Sequence, residues 1–305
     1  MSKRVAFIVN PVSGVGKQRR IETLLKRHID HDMFQYDVWY TEYAHHGKLL
    51  ARKAADQRYD SVVAVGGDGS VNDVVCGIYG SESALGIIPT GSGNGLARCM
   101  KIPTNPSLAI RYFNLYNENI IDTIILNDRH IITSIAGIGF DSHIAHLMQH
   151  VKTRGLPAYI NLIIKEYKSY PNHDYRLCIN GQDVTKNAWF ITFANSNQFG
   201  FNFAIAPQAR LNDGLIDISI VDKIPLEHIP ITSPLVYMNH FELSQHVEMF
   251  KTNEVIVYNN ENRWVNIDGE GEQIGEELRF VNHKKSLKVI AAPTFKESIK
   301  QIVFK

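Results

Sequence analysis

A glycine-rich turn that directly follows a short apolar segment constrains the fold of this 305-residue chain more than any other feature. Val62–Val65 is wholly apolar and mostly β-branched, which predicts a buried parallel strand. The next residues, Gly66–Ser70, read Gly-Gly-Asp-Gly-Ser. The three glycines let backbone N–H groups approach a phosphate at the start of the following helix. A strand-to-helix turn without any ligand is the alternative interpretation of this motif taken alone.

Two further loops of similar composition make the ligand interpretation stronger. Asn10–Lys17 and Pro89–Asn94 are rich in Gly, Ser and Asn, and each follows an apolar strand-like segment. In open α/β sheets, ligands bind where the strands end. Asp68 would repel a bare phosphate, so its place among the glycines indicates a role with a divalent cation or as a proton acceptor. The three loops together predict a phosphate-binding edge.

The first part of the chain, residues 1–118, alternates strand-like and helix-like segments. This alternation predicts an α/β domain with a doubly wound parallel sheet. The predicted elements besides those around the three loops are a helix over 19–28, a strand over 36–40, a helix over 48–57, a helix from about residue 96 and a helix over 109–114.

The second part, residues 119–291, has a different pattern, because short strands separated by turn residues dominate it. This pattern predicts an antiparallel β-sandwich domain, interrupted by helices over 142–150 and 157–170. The predicted strands are 120–126, 131–136, 175–179, 189–194, 216–221, 247–250, 255–258, 264–267, 278–281 and 287–290.

Composition excludes several classes of protein. Hydrophobic residues make up 44% and charged residues 21%, with a formal net charge of +1, so nothing in the overall charge predicts nucleic-acid binding. The three cysteines are distant from one another and predict reduced thiols in a cytoplasmic protein. The sequence shows neither a signal peptide nor an apolar run of the roughly 20 residues that span a bilayer, so we expect a protein without a transmembrane segment.

Five motifs resemble those of the diacylglycerol kinase catalytic-domain family, which includes bacterial lipid kinases, sphingosine kinases and ceramide kinases. They are Asn10-Pro-x-Ser-Gly-x-Gly, Gly66-Gly-Asp-Gly-Ser-x-Asn-Asp73, Pro89-Thr-Gly-Ser-Gly-Asn94, Ala206-Pro-x-Ala-x-x-x-Asp-Gly-Leu-Ile-Asp217 and Asp268-Gly-Glu270. The resemblance implies ATP-dependent phosphorylation of a lipid hydroxyl. It also implies that the tail 292–305, which looks helical over 294–302, joins the first domain, while 119–291 contributes the magnesium and lipid sites.

The loops and the resemblance together give a set of expected ATP contacts. The loops supply backbone N–H groups and hydroxyls. For Asn10 and Asn72, a contact that holds the loops to each other is as well supported as a contact with ATP. The resemblance adds Thr41, at the end of the second strand. The expected residues are Asn10, Pro11, Ser13, Gly14, Thr41, Gly66, Gly67, Asp68, Gly69, Ser70, Asn72 and Ser92.

The resemblance also assigns the metal and the general base. It implies that Mg²⁺ binds the Asp213 carboxylate and the main-chain oxygens of Arg210 and Leu215. Without the resemblance, the pair Asp213-Gly214 would be interpreted as an ordinary turn. Two carboxylates compete for the role of general base: Glu270, as in bacterial diacylglycerol kinases, and Asp68, as described for sphingosine kinases. We favour Glu270 as base and Asp68 as part of the magnesium network.

Three functions remain open at this point. The first is a lipid kinase that meets a diacylglycerol or sphingoid-type acceptor through peripheral contact with a membrane surface, using ATP and Mg²⁺. The second is a kinase for a soluble substrate, of the NAD kinase type. The third is a catalytically silent nucleotide-binding regulator. The sequence predicts no nucleic-acid partner and leaves a homodimer open.

Overall fold

The computed structural model describes residues 2–13, 20–151, 155–259 and 261–291. Two compact units divide the chain between Ile121 and Asp122 and again between Lys284 and Lys285. Gly14 of the predicted ATP site and the predicted tail helix over 294–302 lie outside the described residues.

Unit 1 alternates strands and helices, as predicted. Its elements are β1 (Lys3–Val9), α1 (Ile21–His28), β2 (Phe34–Tyr40), α2 (His46–Asp56), β3 (Ser61–Gly66), α3 (Asp68–Ile78), β4 (Ala84–Pro89), α4 (Gly95–Cys99) and α5 (Pro106–Phe113). The start of α5 shows the local chemistry, because the Asn105 side chain accepts hydrogen bonds from the backbone N–H groups of Ser107 and Leu108, and Pro106 occupies the first turn.

The sheet of unit 1 is parallel, with strand order β2-β1-β3-β4. Strands β3 and β4 are buried along their whole length, so both faces of the sheet are covered. This explains why their sequences are continuously apolar rather than alternating. The prediction of a doubly wound parallel sheet is confirmed.

Unit 2 is rich in strands. Its elements are β6 (His130–Ile132), β7 (Ile135–Gly139), α6 (Phe140–Gln149), α7 (Leu156–Tyr167), β8 (His173–Ile179), β9 (Gln182–Ala188), β10 (Phe190–Ala194), β11 (Ile216–Val221), α8 (Ile229–Tyr237), β12 (Val247–Thr252), β13 (Glu254–Tyr258), β14 (Val265–Ile267) and β15 (Glu270–Glu272). Two strands, β5 (Glu118–Leu126) and β16 (Glu277–Ile290), each run across a boundary between the units.

The strands of unit 2 form the predicted sandwich. A six-stranded sheet has the order β12-β11-β10-β7-β14-β15, and its neighbouring strands are antiparallel. A second layer includes β8, β9, β13 and the first part of β16, again antiparallel. Side chains of both layers form one buried core, in which Phe193 of β10 stacks on Phe280 of β16 with ring centroids 4.1 Å apart. The expected antiparallel β-sandwich is therefore confirmed.

Several predicted boundaries were wrong for identifiable reasons. The segment 131–136 is split between β6 and β7, because the Asp268 carboxylate accepts hydrogen bonds from the intervening backbone N–H groups. The predicted strands 278–281 and 287–290 are one strand, β16, which passes Lys285 at a φ of 50° without ending. Strand β9 was missed because six of its seven residues are exposed or half-buried, and α8 because Pro234 interrupts its helical pattern. Within the described ranges, no helix is both long and apolar enough to cross a bilayer.

Candidate active site

In unit 1, the strand order reverses between β1 and β3, and a small pocket lies at that edge of the sheet. In doubly wound folds this reversal point is where ligands bind. The pocket brings together three of the predicted ATP contacts, Asn10, Thr41 and Ser70, which follow β1, β2 and β3 respectively. The complete lining is Ile8, Asn10, Thr41, Tyr43, Ala44, His45, Gly47, Ser70 and Asp73.

Side-chain hydrogen bonds fasten the first loop to its neighbours. Asn10 Nδ2 donates to Ser70 Oγ at 3.2 Å, and Asn10 Oδ1 accepts from the backbone N–H of Val12 at 3.0 Å. Ser13 Oγ lies 3.1 Å from Thr90 Oγ1 in a buried contact between the first and third loops. Asn10 therefore acts as a brace between loops, one of the two roles that its sequence context left open.

The glycines permit a very close approach between the second and third loops. The backbone N–H groups of Thr90 and Gly91 both donate to the carbonyl oxygen of Gly66. A Cβ atom at Gly91 would lie 2.4 Å from Gly67 Cα, and one at Gly66 would lie 2.3 Å from Ser70 Cβ. A Cβ atom at Gly67 would lie 3.3 Å from Gly91 Cα, which is a milder crowding. A side chain at Gly91 would push the second and third loops apart, and one at Gly66 would displace Ser70 within the second loop, so both positions favour glycine.

The Asp68 carboxylate joins the second loop to the third. Oδ2 accepts from the backbone N–H of Asn94 at 2.8 Å and Oδ1 accepts from that of Gly95 at 2.7 Å. These N–H groups lie at the start of α4, where a helix leaves its first donors unsatisfied. Asn94 adopts a left-handed conformation with φ of 55° to allow this contact. Asp68 thus fixes the geometry of the loops, a role that its sequence did not predict.

The remaining predicted ATP residues of unit 1 lie close by along the chain. Gly69 and Asn72 belong to the first turns of α3 and are half-buried, and Asn72 Oδ1 accepts from Cys76 Sγ at 3.4 Å. Ser92 is half-buried in the third loop, and Pro11 is exposed in the first.

Three residues that line the same pocket were not predicted from the sequence as site residues: Tyr43, His45 and Asp73. His45 Nδ1 lies 3.1 Å from Asp73 Oδ1, and Tyr43 stacks on His46 with centroids 4.4 Å apart. Burial raises the pKa of the Asp73 carboxyl, while His45 acts in the opposite direction. A usable signal existed, because residues 41–47 follow β2 at the same sheet edge as the glycine loops.

In unit 2, the predicted metal residues form a tight turn before β11. The backbone N–H of Leu215 donates to Asp213 Oδ1 at 3.1 Å, and the backbone N–H of Gly214 donates to Asp122 Oδ2 at 2.6 Å. Asn282 Nδ2 donates to the Leu215 carbonyl oxygen at 3.2 Å, which leaves that oxygen a second lone pair. Arg210 and Asp213 line one open pocket of about 540 Å³. A carboxylate and main-chain oxygens are the ligand types that Mg²⁺ prefers.

A lysine ammonium also contacts this turn. Lys251 Nζ lies 3.5 Å from Asp213 Oδ2, 3.1 Å from Asp217 Oδ1 and 3.0 Å from the carbonyl oxygen of Gln208. Burial raises the pKa of Asp217, Lys251 lowers it, and the neighbouring Asp213 carboxylate adds to the rise. The turn therefore fits a divalent cation by ligand type but already holds a positive charge.

The turn that carries Glu270 is braced from two sides. The Asp268 carboxylate accepts hydrogen bonds from the backbone N–H groups of Thr133, Ser134 and Ile135 and from the Thr133 hydroxyl. Asn266 Oδ1 accepts from the backbone N–H of Gly269, and its Nδ2 donates to Asp141 Oδ2 at 2.8 Å. Glu270 is then held at the first residue of β15.

The site around Glu270 is also packed closely against α6. A Cβ atom at Gly271 would lie 2.8 Å from the His146 backbone, and Gln149 Nε2 donates to the Gly271 carbonyl oxygen at 3.1 Å. Asp141 in the first turn of α6 is buried, and this burial raises its pKa to about 6. The roles of Asp141, Asn266 and Asp268 were not visible in the sequence, because their partners are distant along the chain.

The two predicted acidic residues of unit 2 do not share one cluster. Asp213 precedes β11 and Glu270 begins β15, and β10, β7 and β14 lie between those strands in the sheet. Four strand spacings correspond to about 19 Å of sheet. Across the ranges that the structure describes, no three His, Cys, Asp or Glu side chains converge on a common point. A metal at Asp213 and a base at Glu270 would therefore be separate sites.

Two family models together match most of the chain. Residues 4–124 match the diacylglycerol kinase catalytic domain, and residues 134–290 match the YegS C-terminal NAD kinase beta sandwich-like domain. The chain belongs to the diacylglycerol kinase family. The family resemblance of the five motifs is thereby confirmed, and membership makes the chain a kinase.

Relatives of known name span almost the whole chain. Diacylglycerol kinase of Staphylococcus saprophyticus is 26% identical over 298 residues, covering 95% of each chain. Diacylglycerol kinase of Bacillus subtilis is 28% identical over 291 residues, covering 92% of this kinase and 95% of the relative. A crystal structure of a diacylglycerol kinase from Bacillus anthracis matches with a TM-score of 0.74 at 18% identity, covering 95% of this chain and 97% of that one. At that identity, the last comparison supports the fold only.

Proposed function

We propose that this kinase is an ATP-dependent lipid kinase, which transfers the γ-phosphoryl group to a hydroxyl of a diacylglycerol-type or sphingoid-type lipid at a membrane surface. The observation that carries the proposal is the meeting of Asn10, Thr41 and Ser70 in one pocket at the reversal point of the sheet. The named relatives are diacylglycerol kinases over nearly their full length, which favours a lipid over a soluble acceptor.

The donor side of the reaction is proposed to lie at the start of α3. This helix is 11 residues long and begins at Asp68, so the first backbone N–H groups of Gly67–Ser70 are suited to bind phosphate oxygens. The corresponding groups of α4 are less suited, because Asp68 already accepts hydrogen bonds from Asn94 and Gly95. We therefore expect the nucleotide phosphates to contact the second loop rather than the start of α4.

The metal is proposed to bind the turn before β11, through the Asp213 carboxylate and the main-chain oxygens of Arg210 and Leu215. When bound, Mg²⁺ would supply positive charge that offsets the Asp213 carboxylate and orders the turn, at a site separate from that of Glu270. The part of this chain is to hold the oxygens in place: the Asp213 carboxylate is positioned by the Leu215 N–H, and the turn is fixed by the bond from Gly214 to Asp122.

The general base is proposed to be Glu270. A base must accept the proton of the lipid hydroxyl, and a positioned base contributes about 10²–10⁴-fold to the rate. Both oxygens of Asp68 already accept backbone N–H groups, which favours a positioning role for Asp68. The turn of Glu270 is braced through Asn266 and Asp268, as expected of a base that must be held in one place.

The proposal is tested by incubating the purified protein with γ-labelled ATP and a panel of acceptors. The panel contains diacylglycerol, phosphatidylglycerol, a sphingoid base, ceramide, undecaprenol and NAD. We expect label in one or more of the lipids and none in NAD. Label in NAD alone would establish the soluble-substrate alternative, and ATP binding without transfer to any acceptor would establish the silent regulator.

Peripheral contact with the membrane is a separate part of the proposal. Two pairs of basic residues are candidates for this contact. Lys284 and Lys285 are exposed on β16, and Lys152 and Arg154 lie outside the described residues. We expect the protein to co-sediment with vesicles that contain anionic lipid, and the Lys284→Ala/Lys285→Ala variant to co-sediment less. Sedimentation at background level, with activity only on detergent-dispersed lipid, would contradict the interfacial part of the proposal.

A further inference from the structure

Strand register brings a lysine and a buried aspartate together beside the turn of Asp213. Strands β11 and β12 are antiparallel, and Asp217 lies directly opposite Lys251 in the ladder. Side chains of such a pair project from the same face of the sheet. Asp213 lies four residues before Asp217, in the turn that precedes β11, and the Lys251 ammonium reaches both carboxylates.

Each N–H donor of the Lys251 ammonium has an oxygen acceptor within reach. An ammonium has three N–H donors, and Lys251 Nζ has three oxygen acceptors within 3.5 Å: Asp213 Oδ2, Asp217 Oδ1 and the Gln208 carbonyl. These are two carboxylates and a main-chain oxygen, the same ligand types that a hard divalent cation prefers. The three oxygens therefore form a cation-binding position, which the Lys251 ammonium occupies.

The carboxylates are not fully compensated by this one lysine. Asp217 is only 7% exposed, and its Oδ2 has no hydrogen-bond partner among the residues that the structure describes. Buried polar oxygens almost always have a partner, so an unpartnered carboxylate oxygen beside a cation position indicates a missing positive ligand.

The surrounding space allows the lysine to leave. Lys251 has a side chain that is 32% exposed, and it lines the open pocket together with Arg210 and Asp213. A long flexible side chain with this exposure can move into the pocket without displacing the strand. Magnesium holds its oxygen ligands at about 2.1 Å. An ion bound by both Asp213 Oδ2 and Asp217 Oδ1 would therefore take the position of the ammonium, which lies 3.5 Å and 3.1 Å from these two oxygens.

We propose that Lys251 is a built-in competitor of the divalent cation at Asp213, and that Asp217 is a second carboxylate of the same site. This inference rests on the magnesium role proposed above for Asp213, and it goes beyond it by naming what must move when the metal binds. The affinity of this kinase for Mg²⁺ is then set by the exchange of an ammonium for a metal ion, and removal of the ammonium raises it.

The test measures binding of Mg²⁺ alone, by isothermal titration calorimetry and by thermal unfolding in a MgCl₂ series, without nucleotide or lipid. We expect Lys251→Met to bind Mg²⁺ at least tenfold more tightly than the unmodified protein, and its unfolding temperature to rise more steeply with MgCl₂. Adding Asp213→Asn or Asp217→Asn to Lys251→Met should each remove most of that gain.

Lys186→Met is the matched control. Lys186 lies in the same unit and also pairs with a carboxylate of β12, Glu248, at 2.5 Å, but it contacts neither aspartate. This variant should bind Mg²⁺ like the unmodified protein. Should Lys251→Met fail to fold, Lys251→Gln serves instead, since an amide keeps hydrogen-bond donors without the charge.

Equal Mg²⁺ affinity of the unmodified protein, Lys251→Met and Lys251→Gln would overturn the inference, as would equal gains from Lys186→Met and Lys251→Met. Because the measurement uses neither ATP nor lipid, it is independent of the acceptor. A protein that phosphorylates no lipid yet shows the gain in Lys251→Met would contradict the proposed function and support this inference.

Discussion

Replacing either of two buried aspartates of unit 2 with asparagine should change the stability of the protein, and the two changes should have opposite signs. Asp141 accepts one side-chain hydrogen bond, from Asn266, and burial raises its pKa from 3.8 to about 6. Asp268 instead accepts four hydrogen bonds from Thr133, Ser134 and Ile135. We predict that Asp141→Asn stabilises the protein at neutral pH and that Asp268→Asn destabilises it.

The sign for Asp141 follows from its raised pKa. Well below pH 3.8 the carboxyl is protonated in both the folded and the unfolded protein, and burial carries no ionisation penalty. Between pH 3.8 and about 6 the unfolded chain ionises while the folded protein keeps its proton, so stability is lost, and above about 6 the loss is complete. A pKa raised from 3.8 to about 6 corresponds to about 3 kcal/mol in the free energy of unfolding. Asparagine does not ionise and avoids this loss.

The assay is urea unfolding of the unmodified protein and Asp141→Asn between pH 4 and 8, followed by tryptophan fluorescence; Trp189 and Trp264 both lie in unit 2. The difference in the free energy of unfolding between the two proteins should change by about 2.5 kcal/mol, in favour of the variant, from pH 4 to pH 8. Using the change with pH removes any constant effect of the substitution. A difference that stays constant, or that grows toward low pH, would refute the reasoning.

Asp268→Asn is the comparison within the same unit. An amide nitrogen would face backbone N–H groups that now donate to a carboxylate, and hydrogen bonds to a charged group contribute about 1.5–3 kcal/mol each. This variant should lower the free energy of unfolding by a few kcal/mol at pH 7. A neutral effect there would show that the Asp268 bonds do not hold the turn.

Three further results are expected. Gly91→Ala should lower both thermal stability and ATP affinity, because its Cβ would lie 2.4 Å from Gly67 Cα, and full ATP affinity by calorimetry would contradict the close packing of the loops. Asp68→Asn should nearly abolish turnover and lower the unfolding temperature, because an amide nitrogen would then face a backbone N–H donor of Asn94 or Gly95. Normal activity of this variant in saturating Mg²⁺ would contradict the positioning role of Asp68. Glu270→Gln should slow the single-turnover rate by about 10²–10⁴-fold without changing the magnesium requirement, whereas Asp213→Asn should raise that requirement. The reverse pattern in magnesium titrations would exchange the two roles, and a full single-turnover rate in Glu270→Gln would make Asp68 the better candidate for the base.

The fold class could be predicted because its causes are local. Strands β3 and β4 are apolar throughout since both faces are buried, and the glycine loops follow them because tight turns need residues without a Cβ atom. Elements whose causes are not local were missed. Strand β9 alternates mostly exposed residues, and α8 contains Pro234, so neither has the sequence pattern typical of its class.

The candidate site likewise has features that the sequence determines and contacts that only the tertiary structure determines. Which residue types lie at the phosphate-binding edge was determined by the sequence alone, since loops that leave neighbouring parallel strands must meet at one edge. What each carboxylate contacts was decided by the tertiary structure. Asp68 bonds to N–H groups 26 and 27 residues away, and Asp217 meets Lys251 only because β11 and β12 pair in one register. A hydrogen bond or an ion pair depends on distances of a few ångströms between atoms far apart in the chain, and no local pattern records such distances.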